Sequence, residues 1–244
     1  MRLDKILANS GLGSRSQVKK YIRKGRVSFK GETLRKAKQQ IRPKDIKYLE
    51  FDGQPINYSR YLYYAFNKPE GVLSTVEAHK AESIINYLPQ MFQDKKIMPV
   101  GRLDKDTSGL LLLTNNGQLN HRLLSPKYKV SRVYFVEVTI LDHAFNEEDI
   151  ENLAQGVALN SEENVRPADL EILSDTKAKL TLYEGKYHEV KRMMHALGKE
   201  VISLKRLAYG PIELGDLKPG DLRKLGNEEV EALFKEVNLD TTEL

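Results

Sequence analysis

Residues 101–114 have the sequence GRLDKDTSGLLLLT, in which a polar loop bracketed by two glycines runs directly into an apolar strand. A buried strand can hold the adjoining loop rigidly while the loop stays open to a ligand. Asp104 is the candidate reactive residue, because Arg102 and Lys105 flank it and nearby cations keep a carboxylate ionised at neutral pH. An ordinary alternative stays open, in which Asp104 or Asp106 only caps backbone amides in a turn.

Around this strand the chain predicts an irregular alternation of strands and helices. Stretches rich in Tyr, Val, Ile, Leu or Thr predict strands at residues 61–67, 109–114, 132–140, 178–183 and 201–208. Apolar periodicity or composition predicts helices at residues 82–88, 118–124, 147–155, 189–197 and 228–237. Because several of the strands can form hairpins, we expect an α+β body with a mixed, mostly antiparallel sheet and flanking helices.

The composition excludes several classes of protein. The chain has 244 residues, 40% of them hydrophobic, and contains no Cys. Disulfide scaffolds, thiolate metal sites and cysteine nucleophiles are therefore excluded. No apolar run approaches the roughly 18 residues of a membrane span, and the first residues lack the apolar core of a signal peptide. We expect a soluble, cytoplasmic protein with no membrane partner.

Charge is distributed unevenly along the chain. Residues 1–48 contain 15 Lys and Arg against three acidic residues, a net charge of +12, whereas the other 196 residues carry a net charge of −7. Each phosphate that Lys or Arg neutralises releases condensed counterions, so such a module favours a polyanion partner. The alternative is a solvated charged face. The density of charge and its sharp boundary favour nucleic acid.

The basic module has the pattern of two helices followed by small strands. Ser14 and Gln17 form a predicted capping box, and the apolar spacing predicts a helix that ends near Gly25. Alternation then predicts strands at residues 27–29, around residue 41 and at residues 46–51. The inward stripe of the second helix is Val18, Tyr21 and Ile22, and its remaining surface carries Arg15, Lys19, Lys20, Arg23 and Lys24.

This module resembles the S4-like RNA-binding domain. The resemblance is carried by residues 2–5 (RLDK), 14–15 (SR), 25–27 (GRV) and 30–31 (KG). It implies a domain at residues 1–58, linker included, that binds RNA through its basic helix face, followed by a second domain at residues 59–244. The implied RNA contacts are Arg2, Lys5, Ser14, Arg15, Lys19, Arg23, Lys24 and Arg26.

Three segments of the body are ordinary when taken singly. They are residues 67–71 (NKPEG), Tyr134 within a strand, and residues 184–192 (EGKYHEVKR) at a helix start. His188 and His195 are seven residues apart, so they do not share the helical face that a zinc-protease motif requires. The sequence also lacks the common nucleotide-binding and serine-hydrolase motifs. We expect no metal and no cofactor.

Taken together and in this order, the segments resemble the pseudouridine synthases of the bacterial small-subunit (16S) rRNA type. The most specific pieces are residues 101–104 (GRLD) and 107–110 (TSGL), supported by residues 67–71, 117–122 (GQLNHR) and 184–188 (EGKYH). Residues 215–220 (GDLKPG) resemble the 16S-directed branch. The resemblance implies a pseudouridine synthase catalytic domain. A 23S-directed relative is the nearest alternative.

The resemblance also implies roles for individual residues. Asp104 becomes the catalytic aspartate, Tyr134 packs on the target base and is proposed to move a proton at the sugar, and Lys191 pairs with the aspartate. Arg192 is the adjacent alternative to Lys191. Glu189 departs from the usual Gln, which puts a phosphate or base contact in doubt. The implied RNA contacts in this domain are Lys68, Arg102, Lys186, His188 and Arg192.

The implied reaction isomerises a flipped uridine of 16S rRNA to pseudouridine, and nothing is oxidised or lost, which suits a chain without cofactor motifs. Ribosomal RNA or a small-subunit assembly intermediate is the expected partner of a monomeric enzyme. Two rivals remain: a non-catalytic RNA-binding assembly factor, and an RNA glycosidase or nuclease. The choice of uridine and the detailed step of Asp104 stay undecided.

Overall fold

The structure is a computed structural model, and it describes residues 1–56, 58–77, 82–157 and 165–240. All the predicted site residues fall within these ranges. The chain divides into two compact units, Met1–Tyr61 and Leu62–Glu243, here called the N-terminal unit and the C-terminal unit.

The N-terminal unit packs two helices against a small antiparallel sheet with strand order β2-β1-β3-β4. The predicted capping box is confirmed, because Ser14 N–H donates to Gln17 Oε1 (2.8 Å) while Gln17 N–H donates to Ser14 Oγ (3.3 Å). Leu3, Val18 and Ile22 are fully buried in the core of the unit. The elements are α1 (Leu3–Asn9), α2 (Arg15–Arg23), β1 (Val27–Phe29), β2 (Glu32–Thr33), a 3-10 helix (Pro43–Tyr48), β3 (Leu49–Phe51) and β4 (Gln54–Pro55).

Two predicted strand pieces of this unit are wrong. Residues 46–48 belong to the 3-10 helix, and β3 begins only at Leu49. Pro43 explains the difference, because proline fits the first turn of a helix and lacks the amide N–H that a strand ladder uses. Near residue 41 the structure has only an isolated bridge between Arg2 and Gln40.

The C-terminal unit is built on one mixed sheet. Its strands follow the order β13-β5-β7-β11-β8-β10-β9, with β12 paired to β11 and β6 paired to β7. The elements are β5 (Tyr63–Lys68), a 3-10 helix (Ile84–Tyr87), α3 (Met91–Asp94), β6 (Met98–Pro99), β7 (Thr107–Thr114), α4 (Gly117–Leu124), β8 (Arg132–Ile140), α5 (Glu147–Gln155), β9 (Asp169–Ser174), β10 (Lys177–Leu182), α6 (Glu189–Ala196), β11 (Lys199–Tyr209), β12 (Ile212–Glu213), β13 (Leu222–Lys224) and α7 (Asn227–Glu236).

The predicted α+β class with a mostly antiparallel sheet is confirmed. Along this strand order, among the described residues, β7 and β11 pair in parallel and the other neighbours pair antiparallel. The central strand β7 carries residues 110–113, which are buried on both faces of the sheet. This strand anchors the loop that begins at Gly101.

Glycine at position 109 permits the close approach of the two parallel strands. Gly109 has φ +103°, and a Cβ atom at this position would collide with the backbone of Arg206, lying 2.6 Å from its nitrogen. Only a residue without a side chain fits such a contact. The glycine that closes the polar loop therefore also lets β11 run directly beside β7.

Some elements differ from the predictions. The helix expected at residues 82–88 is a single 3-10 turn, Ile84–Tyr87. Strand β9 was not predicted, since its sequence DLEILS starts with a charge. Among the described residues it is the edge strand of the sheet. Strand β13 was missed because its three residues, LRK, are too few to show a period.

Candidate active site

A cleft of about 450 Å³ opens in the C-terminal unit and is here called the Asp104 cleft. Its walls come from the loop at residues 100–104, the start of β8, residues 185–191 around the start of α6, and the end of β11. Asp104, Tyr134 and Lys191, the three residues that the resemblance implies are catalytic, all line it. Lys186 and His188 line it too. Segments far apart in sequence thus converge on one concave surface.

The Asp104 carboxylate is accessible and held on a fixed backbone. Its side chain is 35% exposed, and His188 Nε2 lies 3.5 Å from Asp104 Oδ1. The preceding Leu103 is clamped, because Ser74 Oγ donates to its carbonyl (2.7 Å) and accepts from its N–H (3.0 Å). Among the described residues no backbone amide donates to the Asp104 carboxylate. The capping alternative therefore does not describe Asp104.

Lys68 is not placed to contact RNA, which corrects the sequence prediction. Its side chain is fully buried, and Nζ donates to the carbonyls of Val72 (2.6 Å), Pro69 (2.9 Å) and Lys105 (3.3 Å). Burial lowers the pKa of Lys68 to about 8, opposed by the negative charges of Asp106 and Asp104. The ammonium thus joins the turn after β5 to the loop that carries Asp104.

Two of the cations expected around Asp104, Lys105 and Lys191, are paired with other carboxylates. Lys191 Nζ lies 2.6 Å from both carboxylate oxygens of Asp106, so the expected pairing of Lys191 with Asp104 is not found. The bond from Lys191 lowers the pKa of the Asp106 carboxyl. Lys105 Nζ pairs with Glu82 at 2.7 Å. The difference arises because the backbone turns between Asp104 and Thr107, whose N–H donates to the Asp104 carbonyl (3.1 Å), so the two carboxylates face different neighbours.

Two buried arginines form part of the cleft wall, and they were not predicted as site residues from the sequence. Arg132 and Arg206 are 6% and 2% exposed, and the guanidinium carbon of each lies 5.0 Å from the ring centre of Tyr209. Arg206 Nε donates to the Leu110 carbonyl (2.7 Å), while its Nη2 has no hydrogen-bond partner among the described residues. Arg132 could have been predicted from the alternation in β8, because it lies two residues before Tyr134 and therefore on the same buried face of the strand. Together they make this wall positive.

The segment before α6 is strained and presents an aromatic pair. His188 adopts a left-handed conformation with φ +48°, which costs about 1 to 3 kcal/mol in a residue other than glycine. Its ring stacks on Tyr187 with 3.9 Å between ring centres and 16° between planes. Arg192, predicted as an RNA contact, donates to the Tyr187 carbonyl (3.4 Å). Lys186 lies within 3.7 Å of Glu184.

Glu189, which stands where Gln is commoner, is almost fully buried beneath this segment. Its Oε2 accepts the N–H of Lys186 (2.9 Å), and its Oε1 has no partner among the described residues. Burial raises the pKa of the Glu189 carboxyl, and the nearby Glu184 adds to the effect. Oε2 therefore supports the loop, and the side chain also forms part of the cleft wall.

The predicted contacts of the N-terminal unit divide into two groups. Arg2 pairs with Asp4 (2.6 Å), Arg26 pairs with Asp52 and lies over the ring of Tyr21 at 4.6 Å, and the hydroxyl of Ser14 caps α2. The other predicted residues are exposed or half-buried on the surface, namely Lys5, Arg15, Lys19, Arg23 and Lys24.

Neither a membrane helix nor a metal cluster is found in the described ranges. No helix there has the length and apolar character needed to cross a bilayer. No group of three or more His, Asp or Glu residues in the same ranges is arranged to hold a metal ion.

Comparison with known families gives two matches. Residues 62–196 match the family described as RNA pseudouridylate synthase, and residues 1–47 match the S4 domain. A solved structure described as pseudouridylate synthase is 35% identical, with a TM-score of 0.66 and coverage of 96% of this chain and 99% of that chain. Both resemblances drawn from the motifs are confirmed.

Three curated relatives align over nearly the whole chain. An uncharacterized RNA pseudouridine synthase of Bacillus subtilis is 42% identical over 96% of this chain and 98% of its own length. The ribosomal small subunit pseudouridine synthase A of Escherichia coli is 36% identical, with 94% and 98% covered. The ribosomal large subunit pseudouridine synthase B of Bacillus subtilis is 34% identical, with 95% of each chain covered.

Proposed function

This chain belongs to the RNA pseudouridine synthase family and carries an S4 domain, and from that premise we propose that it converts one uridine of 16S rRNA to pseudouridine. The proposed catalytic residues are Asp104 and Tyr134, with Lys191 as a positioning residue. The N-terminal S4 domain, residues 1–58 with its linker, binds the RNA, and residues 59–244 carry out the isomerisation.

The reaction balances without any other reactant. The bond between N1 of uracil and C1′ of ribose breaks, the uracil turns in place, and C5 bonds to C1′. The proton displaced from C5 is lost while N1 takes one up, so nothing is oxidised or reduced. A carboxylate at the sugar serves either as nucleophile at C1′ or as base toward a sugar proton. Both roles need an ionised Asp104 that the extruded nucleotide can reach.

The observation that carries the proposal is the meeting of Asp104 and Tyr134 in one cleft. The carboxylate is one-third exposed on a clamped loop, and Tyr134 is 8% exposed in the same wall. A flipped base can lie against the phenol while the sugar faces the carboxylate. The buried guanidiniums of Arg132 and Arg206 keep this wall positive, which favours negative charge that develops on the uracil as its bond to the sugar breaks.

Lys191 acts through Asp106 in this proposal. Its ammonium binds both Asp106 oxygens and so ties α6 to the loop that follows Asp104. A fixed loop keeps the carboxylate in the geometry that the reaction needs. Lys191 is therefore a positioning residue, and its adjacent alternative, Arg192, is bound to the backbone of Tyr187.

The choice of 16S over 23S rRNA has modest support from the relatives. The small-subunit enzyme of Escherichia coli is 36% identical and the large-subunit enzyme of Bacillus subtilis is 34% identical. Residues 215–220 (GDLKPG) favour the 16S-directed branch. A 23S rRNA pseudouridine synthase is the alternative proposal. The same reaction can take place on free 16S rRNA or on 16S rRNA within a small-subunit assembly intermediate.

Pseudouridine mapping of both ribosomal RNAs tests the proposal. A strain lacking the protein should lose one pseudouridine of 16S rRNA, and the wild-type gene should restore it. Asp104→Asn should abolish restoration, lowering the rate in vitro by at least about 1000-fold, because the carboxylate takes part in the chemical step. Asp175→Asn, an exposed carboxylate outside the cleft, serves as the control and should restore the modification.

Each other outcome contradicts a different part of the proposal. Loss of a 23S site would overturn the choice of rRNA and leave the activity. Restoration by Asp104→Asn would overturn the role of Asp104. Strand breaks or abasic sites in place of an isomer would indicate a glycosidase or nuclease, and unchanged RNA would indicate a non-catalytic binding protein.

We also propose that the enzyme works as a monomer in the cytoplasm, where its ribosomal RNA substrate is found. Light scattering of the purified protein should give a mass near 27.9 kDa. A mass of twice that value at working concentrations would overturn the monomer.

A further inference from the structure

A second cleft adjoins the Asp104 cleft and shares its rim. It measures about 510 Å³ and is here called the Gly71 cleft, since Gly71, Ser74 and Lys105 line it and do not line the first. The two clefts have six wall residues in common, which form the ridge between them: Arg102, Leu103, Asp104, Tyr187, His188 and Lys191. When the target nucleotide of an RNA strand enters one cleft, the neighbouring nucleotide can reach the other cleft.

Tyr187 is the aromatic residue of this ridge, and it has no role in the proposed chemistry. Its side chain is 76% exposed, whereas the next most exposed of the described large hydrophobic residues, Ile202, is 61% exposed. One face of its ring is covered by His188, at 3.9 Å and nearly parallel. An exposed aromatic ring held by a neighbour at a nucleic-acid site is a platform on which a base can stack.

His188, which covers one face of Tyr187, has a strained backbone. His188 holds φ +48° and lies next to Asp104, with 3.5 Å between Nε2 and the carboxylate oxygen. Strained backbone that the surrounding structure maintains is often part of a functional site. The imidazole thus links the platform directly to the catalytic loop.

The charges of the Gly71 cleft favour an uncharged ring over a phosphate. Lys105 is paired with Glu82, Lys191 with Asp106, and the ammonium of Lys68 is enclosed by carbonyls. Glu70 adds a negative charge to the lining. Arg102 lines both clefts and is exposed, and it has no ion-pair partner in the described ranges. It is placed to meet the phosphate that joins two nucleotides.

We propose that Tyr187, supported by His188, stacks on the base immediately next to the target uridine, and that the Gly71 cleft holds this neighbouring nucleotide. This inference rests on the proposed function and adds a substrate subsite to it. Flipping removes the stacking between the target base and its neighbour. Stacking of Tyr187 on the neighbouring base replaces that contact and so stabilises the flipped state.

The test is a double-mutant cycle that combines a substitution in the protein with removal of a base from the RNA. The substrate is a short RNA that carries the mapped uridine, either intact or with an abasic residue at the position 5′ or 3′ to the target. Single-turnover kinetics give kcat/KM for the wild-type enzyme and for Tyr187→Leu. On intact RNA, Tyr187→Leu should lower kcat/KM by about 5- to 150-fold, the range expected for stacking on one base.

On RNA that is abasic at the stacked position, Tyr187→Leu should lose nothing further, because the base it would contact is already absent. Tyr187→Phe keeps an aromatic face and should keep the sensitivity to the abasic change. Tyr87→Leu is the matched control, since Tyr87 is 43% exposed and lies outside both clefts. It should leave kcat/KM unchanged on every RNA.

Two results would overturn the inference while the proposed function stands. One is a Tyr187→Leu enzyme as active as the wild type on intact RNA. The other is a loss that adds fully to the abasic loss on both sides of the target. If instead the wild-type enzyme makes no pseudouridine, the proposed function fails first, so the two failures are distinguishable.

Discussion

The two units of this enzyme use positive charge in opposite ways. In the N-terminal unit, residues on the surface of α2 such as Lys20, Arg23 and Lys24 are exposed around a buried apolar stripe. In the C-terminal unit, several cations near the cleft are buried or paired, although Arg102 on its rim is exposed. Lys68 is fully buried, Arg206 is 2% exposed, and Lys191 is bound to a carboxylate. Exposed cations can meet a backbone of phosphates, whereas buried cations organise the protein itself.

This difference shows that residue type alone does not reveal the role of a lysine. Lys68 and Lys24 both stand in segments typical of RNA-binding proteins, yet only Lys24 has a solvent-exposed ammonium. The following predictions challenge the division between surface cations and organising cations, beginning with the largest expected effect.

The substitution Lys68→Met should destabilise the enzyme by about 2 to 4 kcal/mol, because it leaves the carbonyls of Val72 and Pro69 without their donor. The Lys105 carbonyl keeps the N–H of Gly71 (2.8 Å) but loses the ammonium. Activity should fall at least about 10-fold, since the catalytic loop loses one of its two ties to the turn after β5. Urea unfolding and single-turnover kinetics measure the two effects. The control, Lys20→Met on the exposed face of α2, should change stability by less than about 0.5 kcal/mol.

The pH dependence of the folding stability of the wild type and of Lys68→Met gives a sharper test. The pKa of Lys68 is lowered to about 8 in the folded protein, so the unfolded chain binds its proton more tightly. From this group, folding stability should increase as the pH rises from about 8 toward the unfolded value near 10.5 and should be lower below that window. The stability gap between wild type and Lys68→Met should therefore widen in that range. A stability difference that does not change with pH would contradict the role of Lys68 as an organising cation. So would a variant that loses only RNA affinity, because that result is expected of a surface cation.

The triple change Lys20→Gln, Arg23→Gln and Lys24→Gln should weaken RNA binding without affecting the fold. Each phosphate contact contributes about 0.7 to the slope of log affinity against log salt for single-stranded RNA, so the slope should flatten by about 2. Affinity near 0.1 M salt should fall about 10- to 100-fold. Filter binding over a salt series measures both quantities.

The control for the triple change removes charges from the C-terminal unit. Lys177 and Lys179 are exposed but paired with Glu137 (3.4 Å) and Glu171 (3.2 Å). Replacing both with Gln should leave the salt slope within error of the wild type, because paired cations do not displace phosphate counterions. Equal flattening in both variants would break the distinction between the units.

The smallest effect is expected from Glu189→Gln. The pKa of Glu189 is raised by burial, so as the pH rises the unfolded chain ionises first and the folded state loses stability. Gln carries no charge, keeps the acceptor for Lys186 N–H and can donate to Glu184, so the variant should gain about 1 kcal/mol at pH 8 and less at pH 4. Thermal melts at the two pH values measure the difference. A larger gain at the acidic pH would contradict the assigned direction of the pKa change.

Much of the fold was predictable because its signals are local. The strand at residues 132–140 and the helix at residues 147–155 have the bounds that alternation and capping indicate. The capping box of α2 is a contact between residues three apart. Proline at position 43 was an equally local signal, and giving more weight to it would have predicted the 3-10 helix.

The site was predictable only in part, because its partners are distant in sequence. The Lys68 ammonium binds a carbonyl 37 residues away, and no pattern around Lys68 reports its burial. Lys191 binds across 85 residues and has two carboxylates within three positions to choose from, so the local motif could not select Asp106 over Asp104. The stacked pair of Tyr187 and His188 likewise depends on a left-handed residue that the sequence does not mark with glycine.

The parallel pairing of β7 with β11 makes completion of the active site a late event in the life of the chain. Leu204 pairs with Thr107, so the strand that holds the catalytic loop must wait for a segment synthesised about a hundred residues later. A nascent chain has its S4 domain available well before β11 leaves the ribosome. Under the proposed function, the RNA-binding domain is therefore complete before the cleft is. A chain that ends before residue 199 lacks Arg206 and Tyr209, which belong to β11 and line the cleft.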